Sequence, residues 1–591
     1  MSKKAVSLTH TELTHADSGW DAIVIGSGLG GLTAAAYLTT NGLRTLVLEQ
    51  YDTVGGCSQV FRRKGQFEFD VGVHYIGDCG PDGVVPTLLR GLGLQGRIEF
   101  LELDPDGFST LVFPDLTFRV PRGWDRYLER LIDTFPEEER GLRKCIGVLG
   151  RIGRQTDGHN IPTGIQSMLS FGFKAPSALR WARKPLADLY DACNLSLRAR
   201  AVISGESGDY ASPPSRAPVT FQAAIMHHYL KSGAYYPKGG GQVLAAHLLD
   251  VIRTHGGEVL THARVARILV ADGQVRGVRL NDGETITSRI VVSNADIKRT
   301  YLEMIGREHL APRTIARFER ARMALPLFCV YLGVDIDLRD RMPNTNLFYL
   351  PTDDFESYYK TLYSGNMGPL ADVAVYLSAA SRKDPDNPYT APPGHSSLGV
   401  MAIVPPHYRF WGVSDGPANG EKYNHNIDYL AIKHELTEAL VRQADRLIPG
   451  LRDHIVWKEA ATPITMERYT LSSDGACYGL ETAIDQHGLR RPRPRTEIDG
   501  LYLTGGSTIW GHGVVGAMFG GAGTAGAVLG RDLHQEIRNG RVFGDSSRLT
   551  AGGPGWDPLM ACRRLSHKPR SRCAKGDRES RLSLDPRIAP D

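Results

Sequence analysis

No two of the eight cysteines stand at a C-x-x-C spacing. Neither a zinc ribbon nor a redox dithiol is therefore suggested, and no metal site is expected. Cysteines this sparse suit a reducing, cytoplasmic compartment. No run of about 18 uncharged apolar residues occurs outside the glycine-rich stretches, so no transmembrane span is expected. The opening MSKKAVSLTHTELTHADSGW lacks an apolar core and is not read as a secretory signal; residues 1–19 are expected to be flexible. The chain also lacks a strong charge of either sign. Beyond Ser546 ten Lys/Arg stand against five Asp/Glu, a charge of +5 that leaves the rest of the chain at about −1 in a net +4. The body thus gives no case for nucleic-acid binding. The stretch 546–591 has few large apolar residues and no period, and is expected to be a disordered basic tail.

Glycine is what the chain has in excess, 66 residues, and its clusters are informative. Asp21 to Leu48 reads DAIVI, then GSGLGG, then LTAAAYLTTNG, then RTLVLEQ ending beyond Glu49. A short β-branched run is a buried parallel strand, and the small-residue segment is a helix closed by Gly42. Gly26 permits the turn off the strand, Gly28 lets backbone approach a pyrophosphate, and Gly31 lets helix and sheet pack closely. The helix N-terminus offers unpaired N–H groups to phosphates. Glu49 is placed to accept from the ribose hydroxyls and to repel a 2′-phosphate. The pattern specifies a dinucleotide and does not by itself separate NAD from FAD. Gly55 and Gly56 follow, a second glycine pair suited to a longer cofactor. The basic run Arg62-Arg63-Lys64 either meets phosphates or is solvated; Arg62 is the candidate contact.

After that pair comes GQFEFDVGVHYIGD, Gly65 to Asp78. Phe67 and Phe69 alternate with Glu68 and Asp70, a strand pattern. The segment EQYDTVGGCSQVFRRKGQFEFDVGVHYIG resembles the FAD-binding start of the phytoene desaturase-like flavoproteins, and within them the retinol saturase and carotenoid isomerase branch. An acidic strand end, a glycine pair and a Phe-Asp strand followed by glycine carry the likeness. Two further blocks agree: Ser232–Asp296, and GLYLTGGSTIWGHGVVGAMFGGAGTAGAVLG from Gly500. The resemblance implies FAD, with a backbone contact at Val265 and Asn294 beyond it. It also implies that the last glycine turn and helix, with Gly505, Gly506, Gly513 and Val514, cover the flavin. The turn departs from the family pattern at Trp510-Gly511-His512-Gly513, where Trp510 and His512 face the flavin or fill the turn.

The expected architecture is α/β: a discontinuous Rossmann-like FAD-binding domain (20–105, 216–300 and 456–540) with a mixed α+β substrate domain (106–215 and 301–455) inserted. The resemblance implies a FAD-dependent oxidoreductase acting on C–C double bonds of an apolar polyene or isoprenoid, as saturase, desaturase or isomerase, with an electron partner the sequence does not identify. A flavin amine oxidase and a non-enzymatic prenyl-binding chaperone are the alternatives; the intact glycines disfavour the second. His74 and Tyr75 are the candidate catalytic pair. Glu206, Asp209, Tyr210, His227 and His228 border the site. The adjacent histidines face different ways on a helix and do not suggest a metal. Tyr469 and Tyr478 line a tunnel or are plain core aromatics. Residues 164–184 mix aromatics with Lys174, Arg180, Arg183 and Lys184, which fits either a peripheral membrane contact or a core helix pair with a solvated basic face.

Overall fold

The computed structural model describes residues 19–157, 174–553 and 555–565. Strand β1 (Ala22–Ile25), helix α1 (Leu29–Thr40) and strand β2 (Thr45–Leu48) form the expected unit. Both strands are completely buried, as four-residue apolar runs inside a parallel sheet must be. That sheet has five parallel strands in the order Glu258–Leu260, β2, β1, Val291–Ser293, Leu501–Leu503. Chain segments separated by more than 200 residues therefore meet side by side, which makes the domain discontinuous. Helix α1 lies against the Gly513–Leu529 helix, where a Cβ on Gly521 would come within 2.5 Å of the Gly30 carbonyl oxygen. Small residues on both helices permit that approach.

A second sheet of seven strands runs Ile455–Ala461, Leu327–Val334, Ser396–Ile403, Val375–Ser378, Asn346–Tyr349, Ser109–Val112, Thr117–Val120. It is antiparallel apart from the pairing of Asn346–Tyr349 with Ser109–Val112. The Phe67–Asp70 strand joins the two domains. Phe67 and Phe69 pack with Cys329, Tyr331 and Met401 of the larger sheet, while Asp70 faces the FAD-binding side.

The domain boundaries differ from those expected in three places. The Val219–Ser232 helix belongs to the substrate domain, because Val219, Ala223, Met226 and Leu230 are buried in the core of the seven-stranded sheet. Residues 301–318 lie on the other side, where Tyr301, Met304 and Phe318 pack beneath the parallel sheet. Ile455–Ala461 is an edge strand of the substrate sheet. In each case the buried face chose the nearer core, which chain order does not reveal.

The C-terminal expectation is also corrected. Residues 546–553 and 555–565 are part of the fold. Ser546 O accepts from Arg97, Asp250 accepts from the Thr550 and Ala551 amides, and Val54 N donates to Cys562 O. Charge-assisted bonds to distant partners hold a segment whose composition alone would leave it loose. Residues 566–591 and the first half of the 164–184 stretch, 164–173, lie outside the described residues. Among the described residues no helix is long and apolar enough to cross a membrane.

Candidate active site

The glycine loop has the geometry a dinucleotide seat requires. Gly26 has φ +89°, so the chain turns off β1 in a conformation a side chain would resist. Helix α1 begins at Leu29 with Gly28 as N-cap and no side chain capping it, leaving amides free for phosphate. Glu49 is buried at the end of β2. Its Oε2 accepts from Ser27 N at 2.9 Å and Ser27 Oγ at 2.6 Å, and its Oε1 accepts from Tyr51 N. A buried carboxylate at this strand end, a bare helix N-terminus and a run of glycines are the donor and acceptor set an adenosine diphosphate requires.

The second glycine pair supports this seat from below. A Cβ on Gly56 would lie 2.9 Å from Gly28 Cα, and Gly28 and Gly55 are bridged in parallel. Asn294 completes the floor, since Cβ atoms on Gly28, Gly30 and Gly505 would meet its side chain at 2.9, 2.8 and 2.5 Å. The sequence reading placed Asn294 only as a neighbour of Val265. Val265 itself opens the Val265–Ala271 strand and is buried under the parallel sheet. Gly505 and Gly506 follow the last parallel strand. Gly513 and Val514 begin the Gly513–Leu529 helix, whose N-cap His512 provides no side-chain cap. Trp510 fills the turn, packed on Phe519 and His534.

Arg62 is not free for a phosphate. Its guanidinium grips Asp557 through two bonds of 2.6 and 3.0 Å, holds Glu68 at 2.8 Å and stacks on Tyr389. Burial pushes the Glu68 carboxyl up to about 7 against the opposing pull of Arg62. Arg62→Ala should therefore lower stability by about 3 kcal/mol, by stranding Glu68 and freeing the Asp557 segment. Flavin content should be unchanged, measured by thermal denaturation beside the visible spectrum; loss of flavin would restore the phosphate role.

Where the two domains meet lies a cavity of about 540 Å³, within the range of small-molecule sites. Its walls are largely apolar and carry the aromatics Phe221, Tyr229, Phe348, Tyr359, Tyr376 and Tyr478. Gly72, His74 and Tyr75 enter it from the turn after the Phe67–Asp70 strand, and His512 to Gly516 enter from the last glycine turn and helix. The expected pair thus stands in the cavity together with the expected flavin-covering segment. Tyr478 lines it as well, whereas Tyr469 packs on Tyr51 and is exposed. His228 lines the cavity, while His227 turns away to accept from Trp124.

Two buried polar groupings meet His74 and Tyr75. Lys383 Nζ donates to His74 O at 2.6 Å, Asn346 Oδ1 at 2.6 Å and Ser378 Oγ at 2.8 Å. Burial pushes this lysine down to about 7, with Asp70 opposing. It clamps the turn that presents His74. The His74 imidazole is driven to about 3, first by burial and then by Lys383, so it is neutral. The second grouping is acidic. Tyr75 donates to Asp209 Oδ2 at 2.5 Å, and Ser109 donates to Glu206 Oε1 at 2.6 Å. Burial lifts Asp209 to about 7 against the Tyr75 hydrogen bond, and lifts Glu206 to about 8 with Asp209 adding to the rise. Tyr75, stacked on Tyr229, stays a phenol because burial and these acids raise it far above the usual range. The site therefore holds exchangeable protons beside an apolar chamber at neutral pH. Asp209 and Glu206 could be suspected from the sequence because they precede the second cofactor block. Lys383, Asn346 and Ser378 carried no such signal.

A family model described as flavin containing amine oxidoreductase matches residues 29–529. The all-trans-retinol 13,14-reductase of Danio rerio is 28% identical over 543 residues, covering 87% of this chain and 87% of that one. The chloroplastic prolycopene isomerase 2 of an Oncidium hybrid cultivar is 27% identical over 522 residues, covering 85% and 82%. A structure of putrescine oxidase bound to putrescine superposes with a TM-score of 0.56 at 13% identity, covering 87% of this chain and 99% of that one. That last likeness concerns the fold.

Proposed function

Because the chain belongs to the flavin-containing amine oxidoreductase family and takes FAD, we propose that it adds hydrogen across a C–C double bond of an apolar polyene or isoprenoid substrate. The residues that hold the cofactor are the glycine loop, Glu49, the Gly55–Gly56 pair and the Gly505–Val514 turn. Bound FAD supplies the two-electron chemistry, drawing its electrons from a reduced donor. The chain's own residues supply the rest. The aromatic walls bind and straighten an extended apolar substrate and keep water out. When the Asp209 carboxyl is protonated it can donate to the Tyr75 oxygen, which frees the phenolic proton for the cavity; Asp209, backed by Glu206, is then positioned to replace that proton.

One observation carries the direction: burial lifts the carboxyl in contact with the Tyr75 hydroxyl to about 7, so a large share of it is protonated at neutral pH. Saturating a double bond consumes a hydride and a proton; desaturation would need a base. The similarity to a retinol reductase and a prolycopene isomerase supports the polyene class. The test is anaerobic incubation of dithionite-reduced holoenzyme with all-trans-retinol and with a cis-carotene. A product two hydrogens heavier is expected. An unchanged mass with altered double-bond geometry would replace saturation by isomerisation. Peroxide formed from an amine panel by the oxidised enzyme in a parallel aerobic assay, with no change in either polyene, would overturn the reading in favour of amine oxidation.

A further inference from the structure

Arg491 is the one guanidinium on the cavity wall that is almost completely enclosed, at 3% exposure. Its Nη1 donates to Gly506 O at 2.6 Å, its Nη2 to Leu480 O at 2.6 Å, and its Nε to Gln486 O at 3.3 Å. All three acceptors are neutral backbone carbonyls. Among the described residues Arg491 forms no ion pair, whereas nearby Arg216 and Arg322 both reach Glu481, and Arg322 reaches Asp485 as well. The local carboxylates are thus already used by other arginines. Burial holds this guanidinium down to about 10, still a full cation at neutral pH. His487 and His512 beside it are neutral, pushed to about 3 by burial and then by Arg491 itself. Burial lifts the nearest cavity acid, Asp209, to about 7 and Glu206 behind it to about 8, which reduces the negative charge they offer, and neither is in an ion pair with Arg491.

A buried cation without a counter-charge is costly unless something anionic completes it. Three of the five guanidinium N–H groups are accounted for, and the planar fork suits a carboxylate. We propose that Arg491 forms an anion subsite of the substrate cavity, and that the ligand it takes is the terminal carboxylate of a long apolar chain. The inference rests on the polyene reading for the body of that ligand and adds its head group. With the carboxylate at Arg491, the chain extends past Tyr478, Phe221 and His512 toward Tyr75, which fixes which double bond faces the proton donor. The subsite is a positioning device; the chemistry stays at Tyr75.

The test compares all-trans-retinoate, all-trans-retinol and palmitate by quenching of protein fluorescence in the FAD-loaded enzyme and its Arg491→Met and Arg491→Lys variants. Wild type should bind retinoate about tenfold or more tighter than retinol. Arg491→Met should erase that preference and leave retinol affinity and flavin content unchanged. Arg491→Lys should retain part of it, since charge remains without the fork. Equal affinity of wild type for the acid and the alcohol overturns the proposal and needs no variant. Flavin loss in both variants also overturns it, by making Arg491 a cofactor residue. If neither polyene binds but palmitate binds in an Arg491-dependent way, the polyene reading falls and the anion subsite stands. If no carboxylate binds, the subsite falls.

Discussion

Gly31→Ala is expected to yield folded protein without its flavin colour. A Cβ on Gly31 would stand 2.2 Å from the Gly26 carbonyl oxygen and 3.2 Å from Asn294 Cβ. Neither neighbour has room to yield. Gly26 N is bonded to Leu48 O, and Asn294 N to Ile25 O, so both are tied into the parallel sheet. The strain must be relieved by tilting the start of α1, the element whose free amides would seat the phosphates. Core packing around the seven-stranded sheet involves a different set of residues and should survive. Gly42→Ala is the control. Gly42 also sits at positive φ, +90°, but a Cβ there meets nothing within 4 Å. It should cost about 1–2 kcal/mol of stability and leave flavin content intact. Circular dichroism and the visible spectrum of both variants decide the matter; a fully flavin-loaded Gly31→Ala protein would show that the close approach is not what builds the seat.

That seat was legible in the sequence because its parts are local. Strand, glycines, helix, strand and Glu49 lie within 29 residues, and each residue type answers to one requirement of the turn or the phosphates. The strand from Phe67 to Asp70 and the turn carrying His74 and Tyr75 were legible for the same reason. What escaped was everything decided by pairing across the chain. Arg62 looked available because its partner Asp557 lies 495 residues away, in a segment whose composition suggested disorder. Lys383 sits in an unremarkable SRKDPDN turn, yet it holds His74 from a distance of 309 residues. Arg491 follows another arginine in a surface-like RRPRPR run, and only the folded chain shows that one of the two is enclosed. The same physics explains the misplaced boundaries. The Val219–Ser232 helix adjoins a cofactor segment in sequence but buries its apolar face in the other core.

Asp209→Asn should slow the half of turnover in which the polyene is reduced by about 100-fold, the usual worth of a positioned acid, with flavin and substrate still bound. The amide keeps the shape and can still meet Tyr75, but it has no proton to pass on. The pH dependence fixes the sign. Asp209 is raised from the ordinary carboxyl range to about 7, so its protonated form is complete below that value and is lost as pH rises through it. Wild-type single-turnover rates should therefore fall on the alkaline side of about pH 7, and the variant's residual rate should lose that limb. A rate that instead climbs with pH would assign Asp209 as a base and the direction as desaturation. Stability carries the matching signature. The folded state binds this proton more tightly than the unfolded chain, so Asp209 lowers wild-type stability as pH rises from about 4 to about 7. Asp209→Asn should flatten that decline in denaturant titrations. The groups facing the carboxyl are Tyr75, Glu206, Tyr210, Tyr229, Tyr359, Tyr376 and Tyr478, none of them cationic, and His512 reaches only its backbone carbonyl. Tyr75→Phe separates the relay from the reservoir. It should cost a comparable factor in rate, and it should move any remaining limb to higher pH, because the Tyr75 hydrogen bond is what holds Asp209 down.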